Sequence, residues 1–295
     1  MHKAKIYNPY SAYFVLPALV LFGVFFILPN IAGMVLGFTD WNSYFPLSPR
    51  FNGLTNFKDM FDSSIFSISV KNTVYFTLVT TVVKMVLGFF LALLLTKAIR
   101  YKNLYRTIIF APVVINPLVV ALIFSSIYNP TYGILNAFLK FVGLGFLTRD
   151  WLVVAGTAMN AICAMEIWMA IGITMVIFIA GIHSVPNEYY EAAKIDGASK
   201  FRQLVHITLP LTMYCITINT ILCLIRGTSV FGQVYGLTNG GPADATQVYY
   251  TFIFKQFSQN GLYGYSAAAG LLFTVVISIV SFLLLWVFRK LEVEY

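Results

Sequence analysis

Three ionisable residues lie inside long apolar runs of this sequence, where an unpaired charge is expensive. Glu166 and Arg226 occupy two of these runs, and Lys84 occupies a third. Buried opposite charges usually pair, so one interpretation is an ion pair between Glu166 and Arg226 that joins two helices. A second is that Arg226 binds an acidic group of a ligand, since its planar guanidinium matches a carboxylate through two hydrogen bonds. Both hold if the pair opens during function, and for Lys84 we expect a structural role.

The remaining reactive residue types do not indicate catalysis or a bound metal ion. No Ser/His/Asp or metal-ligand spacing occurs within the apolar runs. The three histidines lie scattered at or beyond the ends of these runs: His2, His183 and His206. The three cysteines lie inside apolar runs without a close pair spacing, as buried structural thiols do: Cys163, Cys215 and Cys223. The phosphate-binding pattern G-x-x-x-x-G-K-[ST] is absent. We therefore expect a non-catalytic chain that binds no cofactor itself.

The elements that must position these residues are apolar segments long enough to cross a bilayer. Only 10% of the 295 residues are charged, against about 25% in soluble domains. A hydrocarbon core of about 30 Å needs about 20 apolar residues in a helix. Prolines interrupt several segments but are also common in static membrane helices, so they carry little weight. We predict an all-α membrane protein with six transmembrane helices, at 13–38, 73–95, 108–128, 152–182, 211–235 and 265–288.

The basic residues predict the orientation of these six helices. The formal net charge is +8, but the Lys and Arg residues form short clusters between apolar segments, which indicates membrane orientation rather than nucleic-acid binding. Eleven of them fall on one side and six on the other. The eleven-charge side is therefore predicted to be cytoplasmic, with both termini on it. The apolar run after Lys5 is too long for a cleavable signal peptide, so we expect it to be the first span.

The polar loop at 184–210 differs from every other polar stretch. Ser184 or Asn187 is suited to cap a short helix, Gly197 to end it, and Ser199 to cap a second one. Tyr189, Ala192, Ala193 and Asp196 share one face at helical spacing. The two alanines make that face small enough to enter a groove of another protein, where Glu191 would pair with a basic group. An interfacial helix on the membrane is the alternative, but its acidic residues would then face an anionic leaflet.

The sequence here resembles the permease subunits of ABC importers. Glu191-Ala192-Ala193, Gly197 and Leu209-Pro210 match the spacing of their EAA loop. The resemblance extends over most of the chain and is to the carbohydrate-uptake branch, which contains the larger maltose-type and glycerol-phosphate-type subunits. Its further motifs are Thr39-Asp40-Trp41, Asn72-Thr73, Asn129-Pro130-x-Tyr132-Gly133 and Leu237-Thr238-Asn239-Gly240-Gly241-Pro242.

The resemblance implies a type I importer fold (MetI-like), with a core of five helices plus an N-terminal helix. Residues 1–69 would hold a cytoplasmic tail, the first span and an extracellular segment. Residues 70–287 would form the permease domain, and 288–295 a cytoplasmic tail. It also implies the partners: a second homologous permease subunit, two cytoplasmic ATPase subunits or domains that bind ATP and Mg²⁺, and an extracellular or periplasmic solute-binding protein. The ATPase-coupling residues would be Glu191, Ala192, Ala193, Asp196, Gly197, Leu209 and Pro210.

The resemblance further implies a substrate pathway between the fourth and fifth spans. The matching positions are Glu166, Met169, Ala170, Ile173, Cys223, Arg226, Gly227 and Val230. Maltose-type relatives carry aromatic or amide groups at several of these positions, so the departures argue against maltose itself. The implied function is import of a sugar or oligosaccharide across the bacterial cytoplasmic membrane, with an acidic sugar as one option. A non-sugar solute, such as a polyol or glycerol-phosphate ester, is the alternative. A membrane-embedded enzyme and a secondary transporter fit less well, since neither needs the EAA loop and inverted repeats are not evident.

Overall fold

The computed structural model describes residues 12–97 and 100–289. Within these ranges the ordered elements are helices, apart from one isolated antiparallel bridge between Thr39 and Phe51, which confirms the prediction of an all-α protein. The helices are α1 Leu16–Leu36, α2 Thr55–Asp62, α3 Ser64–Thr96, α4 Lys102–Phe110, α5 Pro117–Ile127, α6 Ile134–Phe141, α7 Ala155–Ser184, α8 Asn187–Ile195, α9 Lys200–Leu211, α10 Met213–Thr228, α11 Gly232–Leu237, α12 Tyr249–Ser258 and α13 Tyr263–Arg289. Single turns of 3-10 helix occur at Ala12–Phe14, Ala111–Val114 and Gly145–Leu147.

Four helices of the described chain are long and apolar enough to cross a membrane: α1, α3, α7 and α13. Two further candidates are bent pairs. Lys102–Val114 and Pro117–Ile127 meet at 103°, and α9 and α10 meet at 66°. The described residues therefore hold between four and six spans, and the predicted six are reached only if each bent pair is one span.

The prediction of a continuous helix over 108–128 was wrong. Ile115 and Asn116 adopt extended backbone, and the Asn116 side chain accepts a hydrogen bond from the Leu118 amide at 2.9 Å, which caps α5. Pro117 occupies the first position of α5, where its missing N–H is no loss. The chain thus ends one helix and starts another inside the apolar run.

The predicted helix over 211–235 is also divided. α10 ends at Thr228, and α11 starts at Gly232 after a three-residue break. Leu209 and Pro210, which we expected to start this span, lie in α9 before the 66° bend. At the bend the Thr208 carbonyl accepts two hydrogen bonds from Thr212, one from its backbone amide at 3.0 Å and one from its hydroxyl at 2.7 Å.

The larger compact unit comprises Ser63–Phe252 and Ile277–Tyr295. Its core is the packing of α3, α7 and α10, and these helices approach closely at glycines. A Cβ on Gly88 of α3 would lie 2.7 Å from the Thr174 methyl group of α7, and a Cβ on Gly227 of α10 would lie 2.9 Å from the Thr77 methyl group of α3. Small residues at such contacts let membrane helices pack by van der Waals contact.

The smaller unit combines Met1–Asp62 with Ile253–Val276. In its described part, the Asn56 amide donates to the carbonyls of Gly37 and Thr39, both at 2.8 Å. Trp41 packs its ring 4.9 Å from that of Tyr263, and its carbonyl accepts from the Gly264 amide at 2.8 Å. The motif Thr39-Asp40-Trp41 therefore positions the loop that follows α1. The apolar stretch of α1 itself is not buried within this chain.

Candidate functional site

A buried cluster of polar side chains joins three helices of the larger unit. The Lys84 ammonium on α3 lies 3.1 Å from Glu166 Oε1 on α7, and the two side chains are 1% and 2% exposed. Gln233 on α11 donates its Nε2 to Glu166 Oε2 at 2.7 Å. Each oxygen of the buried carboxylate therefore accepts a hydrogen bond, one of them from a cation.

This arrangement corrects the hypothesis that Glu166 pairs with Arg226. Lys84 is the ion-pair partner of Glu166, and this pairing is the structural role that we expected for Lys84. Gln233, which sequence analysis did not single out, supplies the second contact. Four separate helices carry Lys84, Glu166, Arg226 and Gln233, and the sequence alone does not show which of these helices are neighbours. The sequence signal that was available for Gln233 is its residue type, since it carries a polar amide inside an apolar run.

A cavity of about 180 Å³ opens beside this cluster. Arg226 projects into it from α10 and is partly exposed. Within the described ranges Arg226 has no ion pair and no side-chain hydrogen bond, so its charge is not compensated by this chain there. The complete lining is Lys84, Ala170, Ile173, Thr174, Asn219, Leu222, Cys223 and Arg226.

Half of the predicted pathway residues line this cavity and half do not. Those that do are Ala170, Ile173, Cys223 and Arg226. Among the others, Glu166 lies behind Lys84, and Gly227 packs against Thr77. Met169 is buried beside Val120, Ala121 and Met165, and Val230 is buried beside Phe76 and Ile162.

Two neutral polar residues add hydrogen-bonding capacity to the cavity wall. Asn219 Nδ2 on α10 donates to the Thr174 carbonyl on α7 at 3.4 Å, and the Thr174 hydroxyl lies 3.7 Å from Cys223 Sγ. Neither residue was predicted from the sequence, although an asparagine inside an apolar run is a signal for Asn219. The lining therefore includes two cations and two neutral polar residues but no carboxylate, and Lys84, Thr174 and Asn219 are almost fully buried.

A second cluster connects α3 to the loop after α11. The Asn72 amide donates to the carbonyls of Ala245 and Gln247, both at 3.0 Å, and the Thr73 hydroxyl accepts from the Tyr249 amide at 2.8 Å. The Gln247 amide group is fully buried, and neither of its side-chain polar atoms has a partner in the described chain. The motif Asn72-Thr73 thus holds this loop against α3.

The loop at 184–210 has the predicted helix–turn–helix form. α8 ends before Gly197, which has φ +75°, and the Ser199 hydroxyl accepts from the Arg202 amide at 3.3 Å to cap α9. The predicted cap by Ser184 or Asn187 was wrong, because Pro186 is the N-cap and supplies no side-chain bond. The Ser184 hydroxyl donates instead to the Gly181 carbonyl at 2.8 Å.

The outer surface of this loop is exposed and partly apolar. Glu191, Ala192 and Asp196 are exposed, and Ala193 is half-buried. Two large apolar side chains flank the turn, with Ile195 88% and Phe201 75% exposed. On the inner side, the Tyr190 hydroxyl lies 3.0 Å from that of Thr208, which ties α8 to α9.

Metal ligation finds no support in the part of the chain that the structure describes. No group of three or more His, Cys, Asp and Glu side chains there is placed to hold an ion.

Comparison with known proteins identifies related chains. A family model described as binding-protein-dependent transport system inner membrane component matches residues 84–293. The probable ABC transporter permease protein YurN of Bacillus subtilis is 35% identical over 257 residues, which cover 86% of this chain and 87% of YurN. The multiple sugar-binding transport system permease protein MsmF of Streptococcus mutans is 31% identical over 290 residues, 98% of this chain and 99% of MsmF.

The fold is similar to a solved structure. A chain of a bacterial alginate ABC transporter, crystallised in complex with an alginate pentasaccharide-bound periplasmic protein, matches with a TM-score of 0.82. The match covers 95% of this chain and 94% of that chain at 23% sequence identity, so it concerns the fold alone.

Proposed function

Because this chain belongs to the binding-protein-dependent transport system inner membrane component family, we propose that it forms half of the membrane pore of an ABC importer for a sugar or oligosaccharide. MsmF, whose length it matches almost completely, is a permease of a multiple sugar-binding transport system. Transport would proceed by alternating access, with the cavity beside Arg226 exposed to each side of the membrane in turn.

The observation that carries this proposal is the exposed apolar turn at 184–210. Ile195 and Phe201 are both largely exposed in the isolated chain, at a turn whose two helices are joined by the hydroxyl contact of Tyr190 with Thr208. A cytoplasmic ATPase subunit that covers this turn would move α8 and α9 as it closes on ATP. α9 leads through the 66° bend into α10, which carries Arg226. The loop and the cavity are thus connected by one continuous stretch of chain.

The remaining partners follow from the same function. A second homologous permease subunit completes the pore, two ATPase subunits or domains bind ATP and Mg²⁺, and a solute-binding protein delivers the sugar from outside. The chain lies in the bacterial cytoplasmic membrane with both termini and the 184–210 loop in the cytoplasm, as the distribution of basic residues favours. The chain itself supplies the pathway and catalyses no reaction.

The test is reconstitution in liposomes with and without partners. With the second permease, the ATPase and the binding protein, we expect ATP-dependent uptake of an oligosaccharide from a panel that also holds polyols and glycerol-phosphate esters. The chain alone should transport none of them, and robust uptake by it alone would refute the proposal. Uptake restricted to polyols or phosphate esters would replace the sugar by the alternative substrate class.

A variant of the turn tests the docking step separately. Ile195→Ser with Phe201→Ser should weaken ATPase association roughly tenfold or more per residue, because full burial of such a side chain is worth about 1.5–3 kcal/mol. Leu47→Ser is the matched control, since Leu47 is 95% exposed and lies outside the loop. Association that is equally strong in the turn variant and the control would exclude this turn as the docking surface.

A further inference from the structure

A second, larger cavity lies between α6 and α7 and shares no residue with the cavity beside Arg226. Its volume is about 420 Å³, within the range of about 300–1,000 Å³ that ligand pockets span. On α7 it is lined by Asn160 and Ala164, which share one exposed face, whereas Ile162 and Glu166 are buried in the core. The cavity therefore opens on the side of α7 that points away from the helix bundle. Its complete lining is Tyr128, Leu135, Leu139, Leu147, Arg149, Trp151, Thr157, Asn160, Ala161 and Ala164.

The neutral polar side chains of this lining already have hydrogen-bond partners within the chain. The Tyr128 hydroxyl donates to a backbone carbonyl of α7 at 2.9 Å, and the Thr157 hydroxyl donates to the Trp151 carbonyl at 3.1 Å. Asn160 Oδ1 accepts from the Tyr75 hydroxyl of α3 at 2.6 Å. The wall therefore offers a ligand mainly apolar surface, and a polar solute would lose its hydration there without full compensation.

Arg149 is the charged member of the lining, and it is exposed at the mouth of the cavity. Its Nε donates to the Leu147 carbonyl at 3.3 Å, and its guanidinium lies 5.6 Å from the centre of the Trp151 ring. Among the residues that the structure describes, its two Nη groups have no hydrogen-bond partner, and the neighbouring Asp150 forms no ion pair with it. Asn136 holds this segment in place, because it donates to the Arg149 carbonyl at 3.1 Å and accepts from Trp151 Nε1 at 2.8 Å.

The surface around the cavity mouth has the composition of a membrane boundary. Trp151 and Arg149 lie just before α7, and tryptophan is enriched where membrane helices meet water. The loop at 129–154 carries Lys140 and Arg149 against Asp150, so its net charge is positive. In the proposed topology this loop lies at the outer surface of the bilayer. Large apolar side chains are exposed along α6 and the loop after it: Ile134, Phe138, Phe141 and Phe146.

We propose that this cavity binds an anionic phospholipid, with one acyl chain between α6 and α7 and the phosphate on Arg149. The planar guanidinium matches a phosphate through two parallel hydrogen bonds. An acyl chain is in apolar surroundings both in the bilayer and in the cavity, so the selectivity comes from the headgroup. A headgroup without an ammonium group is favoured, because a zwitterionic lipid brings its own cation to the phosphate. The inference rests on the proposed membrane topology and is independent of the transported solute.

The experiment measures quenching of Trp151 fluorescence by brominated lipids in the complete transporter. The probes are dibrominated phosphatidylglycerol and dibrominated phosphatidylcholine, each titrated into bilayers of unlabelled phosphatidylcholine, and Trp151→Phe provides the signal to subtract. We expect phosphatidylglycerol to half-saturate the quenching at about fivefold lower mole fraction, which is the effect of one basic residue at an anionic lipid surface. Arg149→Gln should reduce the ratio of the two half-saturation points to about one. Arg50→Gln, an equal loss of charge at an exposed arginine outside the cavity, is the matched control and should keep the preference.

Two outcomes would overturn the inference. One is an equal half-saturation point for the two lipids, or a preference that Arg149→Gln leaves unchanged. The other is a Trp151 signal that neither lipid quenches, which would show that the second permease subunit or the binding protein covers the cavity. ATP-dependent sugar uptake by the same preparation separates this inference from the proposed function. If uptake persists without a lipid preference, the importer function stands and the lipid site falls.

Discussion

The buried pair of Lys84 and Glu166 makes a strong prediction for stability. Both side chains are almost fully buried and 3.1 Å apart, so removing one partner leaves an uncompensated charge inside the helix bundle. Such a loss costs about 3–5 kcal/mol. We therefore expect Lys84→Met and Glu166→Gln each to lower the free energy of unfolding by roughly this amount.

The double variant should be far less damaging than the sum of the two. With the lysine gone no cation is left unpaired, and the amide introduced by Glu166→Gln still accepts the hydrogen bond from Gln233 Nε2. We expect a net loss of about 1 kcal/mol, the value of an ordinary hydrogen bond. The coupling energy between the two positions, which is the sum of the two single losses minus the loss in the double variant, should then be at least about 5 kcal/mol.

The assay is denaturant unfolding of the purified permease dimer in mixed micelles, completed as a double-mutant cycle. Lys140→Met with Glu188→Gln provides a control cycle, because these residues form no ion pair with each other and should show no coupling. Single variants that lose less than about 1 kcal/mol, or a coupling energy near zero, would refute the view that this ion pair holds α3 and α7 together.

Three further predictions concern other contacts. Gly197→Pro should uncouple ATP hydrolysis from uptake without blocking membrane insertion, because proline fixes φ near −65° where the chain has +75°. Glu191→Lys should have the same effect, because the introduced lysine would be repelled by a basic groove on the ATPase. Normal uptake together with normal ATPase pull-down in both variants would contradict the docking role. Asn72→Ala should increase hydrogen exchange over 243–248, since two carbonyls lose their donor at about 1–3 kcal/mol in total; unchanged exchange would show that Asn72 does not hold the loop. Gly227→Val should lower the thermal stability of the dimer by several degrees, because a Cβ at 227 would lie 2.9 Å from a Thr77 side-chain atom. Gly156→Val is the control, because Gly156 has open space around it. Equal stability of the two variants would contradict the packing argument.

Local signals in the sequence were sufficient where the structure depends on neighbouring residues. The hairpin at 184–210 is such a case, because Gly197 adopts positive φ and Ser199 caps the following helix through contacts a few residues apart. The break before α5 could also have been predicted, since Asn116-Pro117 has the form of a helix cap followed by a proline at the first position. The span length required by a bilayer outweighed that local signal in the prediction.

The partner of Glu166 could not be predicted in the same way. Lys84, Arg226 and Gln233 all lie in apolar runs, and any of them could have faced the carboxylate. The choice depends on which helices are neighbours and on their rotation, which the close contact of Gly88 with α7 helps to set. The cavity residues Thr174 and Asn219 were missed because their types are also common in ordinary helix packing.

The Lys84–Glu166 pair also has a consequence for how the protein is made. The two residues are 82 positions apart in the chain, so at about 5–20 residues per second the ribosome completes Glu166 roughly 4–16 s after Lys84. During that interval α3 carries a lysine without its counter-charge, which adds about 2.5–3.5 kcal/mol to the cost of membrane insertion. We expect α3 to remain beside the translocon until α7 arrives, and a nascent chain stopped before residue 166 to be recognised by membrane quality control.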